Sequence, residues 1–254
     1  MSTFVIGRAD ASRIFIRRSI TQSRRDVETL VTSIALPAIL MVMFTVLFGG
    51  ALGPAGGYAN YVVPGIMLLA ASFGASSTAV SVARDMREGM VDRLRTMPVP
   101  RGTIVFGHVI ASTARNLVAM VVVVGVGLVC GFRPSASVAE WLAAAALIVL
   151  FVVAMTYVFA ALGMLAGSPE AASGYGFALL FLPYLSSAFV PVDTMPSWLQ
   201  GVAQHQPMTP IVDTVRALLV GGTGRPVAAV AWGVGLALFA AAWATWLFAR
   251  KSRS

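Results

Sequence analysis

Hydrophobic and polar positions alternate along this chain in long blocks, at neither the period of a strand nor that of a surface helix. Six blocks stay apolar for about 20 residues, the length that crosses roughly 30 Å of hydrocarbon as a helix. They are Leu30–Phe48, Tyr61–Ala83, Ile104–Cys130, Trp141–Leu165, Gly174–Val192 and Val227–Ala249. Backbone amides in lipid need partners within their own segment, so these runs predict helices. Segments of about ten alternating residues, the mark of a membrane barrel, are not found. The expected fold is all-α: one polytopic domain over residues 1–254 with six transmembrane helices.

Three polar stretches punctuate the runs. In residues 1–28, Arg13, Arg17 and Arg24 share a helical stripe beside Ile16, Ile20 and Val27. That pattern predicts an interfacial helix, and so much polar chain before the first run predicts no cleaved leader. Residues 84–101 hold five arginines with Asp85, Glu88 and Asp92. Arg84 and Glu88 are four apart, predicting a short charged helix that Pro98 and Pro100 would stop. Charge of both signs at that density suits a docking surface for a soluble partner. Residues 193–226 predict two short outer helices. One runs over about Pro196–Ala203, with Trp198, Leu199 and Val202 on one face. The other runs over about Pro210–Val220, with Thr209 as N-cap, an apolar stripe of Ile211, Val212, Val215, Leu218 and Leu219, and Gly221–Gly222 as its stop. A structured cap, or helices dipping back into the membrane, fits this segment better than a free loop.

Charge orients the spans. With the N-terminus inside, the cytoplasmic pieces carry fourteen basic residues, and the outer pieces only Arg133, Arg216 and Arg225. Cytoplasmic loops are the basic ones, so both ends are expected in the cytoplasm of a bacterial plasma membrane. The net charge of +8 then reads as anchoring to anionic lipid and not as nucleic-acid binding. Only 11% of residues are charged, against about 25% in soluble domains, which agrees with a lipid solvent.

The chemistry that is missing narrows the function. Cys130 is the single cysteine, and His108 and His205 lack zinc-ligand spacing, so no metal site is expected. The lone lysine, Lys251, follows Arg250, so the chain has no phosphate-binding loop. Its ten acids avoid span centres, with Glu140, Glu170 and Asp193 at edges. An ion-coupled carrier or an intramembrane hydrolase would need acids or histidines there. No catalytic residue or energy source is expected in the chain, so any transport must draw energy from a partner. Arg115–Asn116 is the one strongly polar pair inside an apolar run. It reads either as a buried pair shaping a pathway or gate, or as an arginine snorkelling to headgroups at the inner interface.

The stretch Arg84-Asp85-Met86-Arg87-Glu88-Gly89-Met90-Val91-Asp92-Arg93-Leu94-Arg95-Thr96-Met97-Pro98-Val99-Pro100-Arg101 resembles the cytoplasmic signature of ABC type-2 permeases, closest to their daunorubicin-resistance-like drug-exporter branch. Arg115-Asn116 resembles the polar pair that follows that loop. Met195-Pro196-Ser197-Trp198-Leu199, Gln206-Pro207-Met208-Thr209-Pro210 and Arg216 resemble the outer motif before the last span. The resemblance covers nearly the whole chain. It implies that Arg84, Asp85, Glu88, Gly89, Asp92, Arg93, Leu94, Arg95, Pro98 and Arg101 couple to a cytoplasmic ATPase. Residues 1–28 would be an elbow helix, and Pro196, Trp198, Leu199, Pro207, Pro210 and Arg216 would belong to an outer cap over residues 193–226. It further implies two ATPase subunits carrying ATP and magnesium, a second permease copy or homologue, and export of hydrophobic or amphipathic compounds. Export of a polysaccharide, a teichoic-acid-like polymer or a lipid, and a non-transporting membrane scaffold, are the other readings.

Overall fold

The computed structural model describes residues 27–49, 57–89 and 103–251, which form helices with no strand among them. Among the described residues eight α-helices follow in order: α1 (Val27–Phe48), α2 (Gly57–Arg87), α3 (Thr103–Val129), α4 (Val138–Leu165), α5 (Pro169–Leu179), α6 (Ser197–His205), α7 (Met208–Val220) and α8 (Pro226–Lys251). Two 3₁₀ turns, Leu182–Leu185 and Val192–Thr194, join α5 to α6. Four helices, α2, α3, α4 and α8, are long and apolar enough to cross a membrane, and α1 adds a shorter apolar stretch over Ile34–Phe48. The expected elbow lies outside the described residues, save Val27 and Glu28, which belong to α1.

α2 is the axis of the bundle. It packs against α1, α3, α4, α5 and α7, whereas α8 lies against α4 and α7. The apolar window of α2 is 72% buried and that of α8 only 22%. This chain therefore leaves most of α8 uncovered and surrounds α2. Close approach of α2 to α4 depends on Gly163, where a Cβ would collide with the carbonyl of Ala79. The long span α4 starts on a capping box: Ser137 accepts from the Glu140 amide, and the Glu140 carboxylate accepts from the Ser137 amide at 2.7 Å.

Two expectations are corrected. The fifth apolar run is not one helix. α5 begins earlier, on the N-cap Ser168 and Pro169, and ends at Leu179. Pro183 has no amide hydrogen, and its ring would crowd the carbonyl of Leu179 four residues back, which favours a break here, whereas α1 and α2 carry Pro37 and Pro64 within them. The charged segment, in turn, does not begin as a separate helix. Arg84–Arg87 is the last turn of α2, and Gly89 ends it with φ of 68°, a left-handed conformation suited to glycine. Asp92, Arg93, Leu94, Arg95, Pro98 and Arg101 lie outside the described residues.

Candidate functional site

The polar side chains of the apolar helices gather at three levels along α2, and each level answers a backbone or charge problem. The first is at the end that carries the charged segment. Arg84, Arg87 and Glu88 are exposed, but Asp85 turns inward, where its Oδ2 lies 2.9 Å from Nε2 of His108 on α3. Beside them, Glu170 at the start of α5 is held below the usual carboxylate range, first by the Ser168 hydroxyl and also by the nearby Arg87 charge. The α4–α5 connection and the end of α2 therefore share one side of the bundle.

The second level lies about 15 Å along α2 from Arg87. Arg115 is half-buried on α3. Its Nη2 donates to the Gly74 carbonyl at 3.1 Å and to the Ser77 hydroxyl at 2.8 Å. Asn116 is fully buried and donates to the Ser112 carbonyl at 2.9 Å. Thr156 of α4 donates to the Val152 carbonyl at 2.7 Å and its hydroxyl lies 3.2 Å from that of Ser112. The Oδ1 of Asn116 presses on the Cα face of Gly74, where a Cβ would overlap it. The pair thus clips α3 onto α2 at Gly74.

The third level explains how a broken helix survives in an apolar run. Unpaired backbone groups at membrane depth are tolerated only against protein or water. The carbonyls of Leu185, Ser187 and Phe189 are met by side chains from elsewhere. Gln206 donates to Leu185 at 2.6 Å, Tyr61 and Arg216 donate to Ser187 at 2.9 and 2.7 Å, and Tyr58 donates to Phe189 at 3.1 Å. The Ser187 amide donates to the Thr209 hydroxyl at 3.3 Å. Arg216 also donates to the Tyr61 carbonyl at 3.0 Å and to Asp213 at 2.7 Å, with its guanidinium 3.8 Å from the Tyr61 ring centroid. Asp213 accepts in addition from the Ser187 hydroxyl at 2.7 Å. A cavity of about 440 Å³ opens beside this knot, lined by Tyr61, Asp193, Thr209, Asp213, Arg216 and Arg225 among others.

The two short helices stand where the sequence put them, within a few residues. Ile211, Val212, Val215 and Leu219 are fully buried, as their stripe requires. Thr209 is not the N-cap: α7 starts at Met208 on Pro207, and the Thr209 hydroxyl donates instead to the Ala203 carbonyl, tying α7 to α6. Pro210 is buried, Pro207 half-buried, and Pro196 exposed. Trp198 is 75% exposed and Val202 is exposed beside it, with Leu199 half-buried, so the apolar face of α6 points away from the protein. The Ser135 amide donates to Leu219 at 3.0 Å and the Arg133 amide to Asn60 at 2.7 Å. Both bonds place α7 at the end of the bundle opposite Asp85 and Glu88. His108, Tyr61, Ser187, Asp213 and Gly74 escaped the sequence reading. Asp213–Arg216 carried a signal, an acid and a base three apart on one helix; the others depend on partners distant in sequence.

A model of the family described as ABC-2 type transporter matches residues 11–220. The chain is 32% identical over 222 residues to the daunorubicin resistance ABC transporter permease protein DrrB1 of Streptomyces coeruleorubidus, covering 87% of this chain and 76% of that one. It is 26% identical over 255 residues to the doxorubicin resistance ABC transporter permease protein DrrB of Mycobacterium tuberculosis, covering 93% and 83%. It is 25% identical over 209 residues to the inner membrane transport permease YadH of Escherichia coli, covering 79% of each.

Proposed function

This chain belongs to the ABC-2 type transporter family, and from that premise we propose that it is the permease subunit of an ATP-driven exporter of hydrophobic or amphipathic, drug-type compounds. The observation that carries the reading is the 32% identity, over most of both chains, to a permease named for daunorubicin resistance. The family is one of transport permeases and not of enzymes, in keeping with a sequence that offers no phosphate-binding loop. ATP and magnesium belong to a separate cytoplasmic ATPase, taken here as two copies acting on two permeases.

In this proposal the chain crosses a bacterial inner membrane six times, the fifth crossing being α5 and the broken segment after it, with both termini in the cytoplasm. Residues 1–28 form the elbow. Exposed Arg84, Arg87 and Glu88, with the segment through Arg101, face the ATPase. The Arg115–Asn116 clip holds α2 and α3 together beside the pathway, and α6 with α7 caps its outer end. Closure of the ATPases on ATP drives the charged segments together and rearranges the two permeases, so that a compound entering from the cytoplasm or inner leaflet leaves outward. An apolar cavity of about 290 Å³ between α2, α3 and α4, lined by Met67, Leu117, Met120, Trp141 and Ile148 among others, suits apolar cargo.

Inside-out vesicles holding the permease and its cognate ATPase should take up a fluorescent anthracycline with ATP, and not with a non-hydrolysable analogue. Uptake that is equal without the ATPase, or absent across a panel of amphipathic compounds, would reject the exporter reading. Glu88→Ala and Arg93→Ala should each leave hydrolysis running while uptake falls.

A further inference from the structure

We propose that Asp85 and His108 form a positioning strut that makes α2 and α3 move as one lever, and that Asp85 does not dock on the ATPase. The inference rests on the permease reading above. It reassigns one residue of the charged segment and adds another, His108, that the sequence motif does not include.

Four side chains leave the end of α2 within five residues, and they do not share an environment. Arg84, Arg87 and Glu88 are exposed. Asp85 is only 16% exposed and His108 13%, with 2.9 Å between Oδ2 and Nε2. An ionised carboxylate only accepts hydrogen bonds, so the imidazole presents its Nε2–H to Asp85. A carboxylate engaged in this way, under little solvent, has its binding capacity directed at its own chain. A partner protein would find Arg84, Arg87 and Glu88 instead.

The pair stands where a mechanical link has an effect. Residues 90–102 connect the ends of α2 and α3, and the strut joins these helices within two turns of that connection. The Arg115 clip joins the same helices again, at Ser77 and Gly74. His108 and Arg115 are seven residues apart on α3, and Asp85 and Ser77 eight apart on α2, so the two links sit about 11 Å apart along the seam. A single link lets two helices pivot; two links hold their angle. A push on the connecting segment then displaces α2 and α3 jointly and reaches α4 through Ser112 and Thr156. Without the strut the push would splay the helix ends, and hydrolysis would run with less movement of cargo.

The test uses the full permease with its ATPase in inside-out vesicles, reading compound moved per ATP hydrolysed beside permease abundance and ATPase co-purification. Asp85→Leu and His108→Leu should each lower that ratio roughly five- to tenfold, the size of an ordinary coupling free energy, with abundance and co-purification unchanged. The exchanged pair, Asp85→His with His108→Asp, should restore the ratio to within about twofold, which a purely local packing defect would not do. His108→Gln keeps a donor at similar reach and should retain most of the ratio even if the leucine variants accumulate poorly. The strut is overturned if Asp85 variants lose the ATPase while His108 variants transport normally, if the exchanged pair stays uncoupled, or if His108→Gln is as poor as His108→Leu. Should wild-type vesicles hydrolyse ATP and move nothing, the exporter reading fails separately. The strut is then read from the distance between spin labels at exposed Arg84 on α2 and exposed Phe106 on α3, whose distribution the leucine variants must broaden and the exchange restore.

Discussion

Gly74 carries the strictest steric demand among the polar contacts of the membrane seam. Its carbonyl accepts from Arg115, and its Cα face meets the amide oxygen of Asn116, so any Cβ would overlap that oxygen. A Gly74→Ala substitution must push Asn116 off Ser112 or separate α2 from α3. Overpacking of this kind costs about 1–3 kcal/mol. The thermal midpoint of the purified permease should fall accordingly, while Gly235→Ala, where a Cβ meets nothing within 4 Å, should leave it unchanged. Equal midpoints for the two would dissolve the clip. Arg216 makes the same argument for charge geometry, because its fork serves Tyr61, Ser187 and Asp213 at once. Lysine keeps the charge but not the fork, so Arg216→Lys should destabilise by roughly 2 kcal/mol or more and reduce export. A lysine variant with normal stability would show that charge alone suffices. Arg115 and Asn116 were visible in the sequence because polarity inside an apolar run is expensive, and Arg216 through the resemblance of the outer motif. Gly74 and Ser187 were not, because small residues are cheap anywhere and become informative only once their partners are known.

At the scale of the helix, the apolar runs marked four spans to within a few residues of Gly57–Arg87, Thr103–Val129, Val138–Leu165 and Pro226–Lys251. Hydropathy fails at the fifth run because composition says that a segment belongs in lipid, not that it stays helical there. Pro183 held the warning. What the run could not reveal is that Tyr58, Tyr61, Gln206, Thr209 and Arg216 would converge on residues 185–189 and make the break tolerable. The break and the cap are therefore one structure, and α7 is its foundation. Ile211 is fully buried and Leu218 partly so, against the same core as α2 and α4. Ile211→Asp together with Leu218→Asp should unseat α7, withdraw the bonds from Gln206 and Arg216, and abolish export with partial loss of the protein from membranes. Export at the wild-type rate would mean that the segment before the last span works as a loose connection.

For the molecule as a whole, charge and contacts sort the chain into the same two ends by separate routes. In the proposed orientation, arginine bias assigns residues 84–101 and the α4–α5 connection to the inside, and residues 131–137 and 193–226 to the outside. Contacts put Arg87 near Glu170 at one end, and Asn60, Ser135 and Leu219 together at the other. The bias acts during insertion and the contacts form on packing, so their agreement is a consistency between levels and not one signal counted twice. It yields a direct test. With Cys130→Ala removing the native thiol, a cysteine at exposed Glu88 and one at exposed Trp198 should differ in access to a membrane-impermeant maleimide. Trp198→Cys should label in intact cells, and Glu88→Cys only after the membrane is opened. The reverse pattern would invert the orientation and leave the fold intact. Labelling of both from one side would break the two-ended bundle itself, because no rotation of α2 brings Glu88 to the face that α6 occupies.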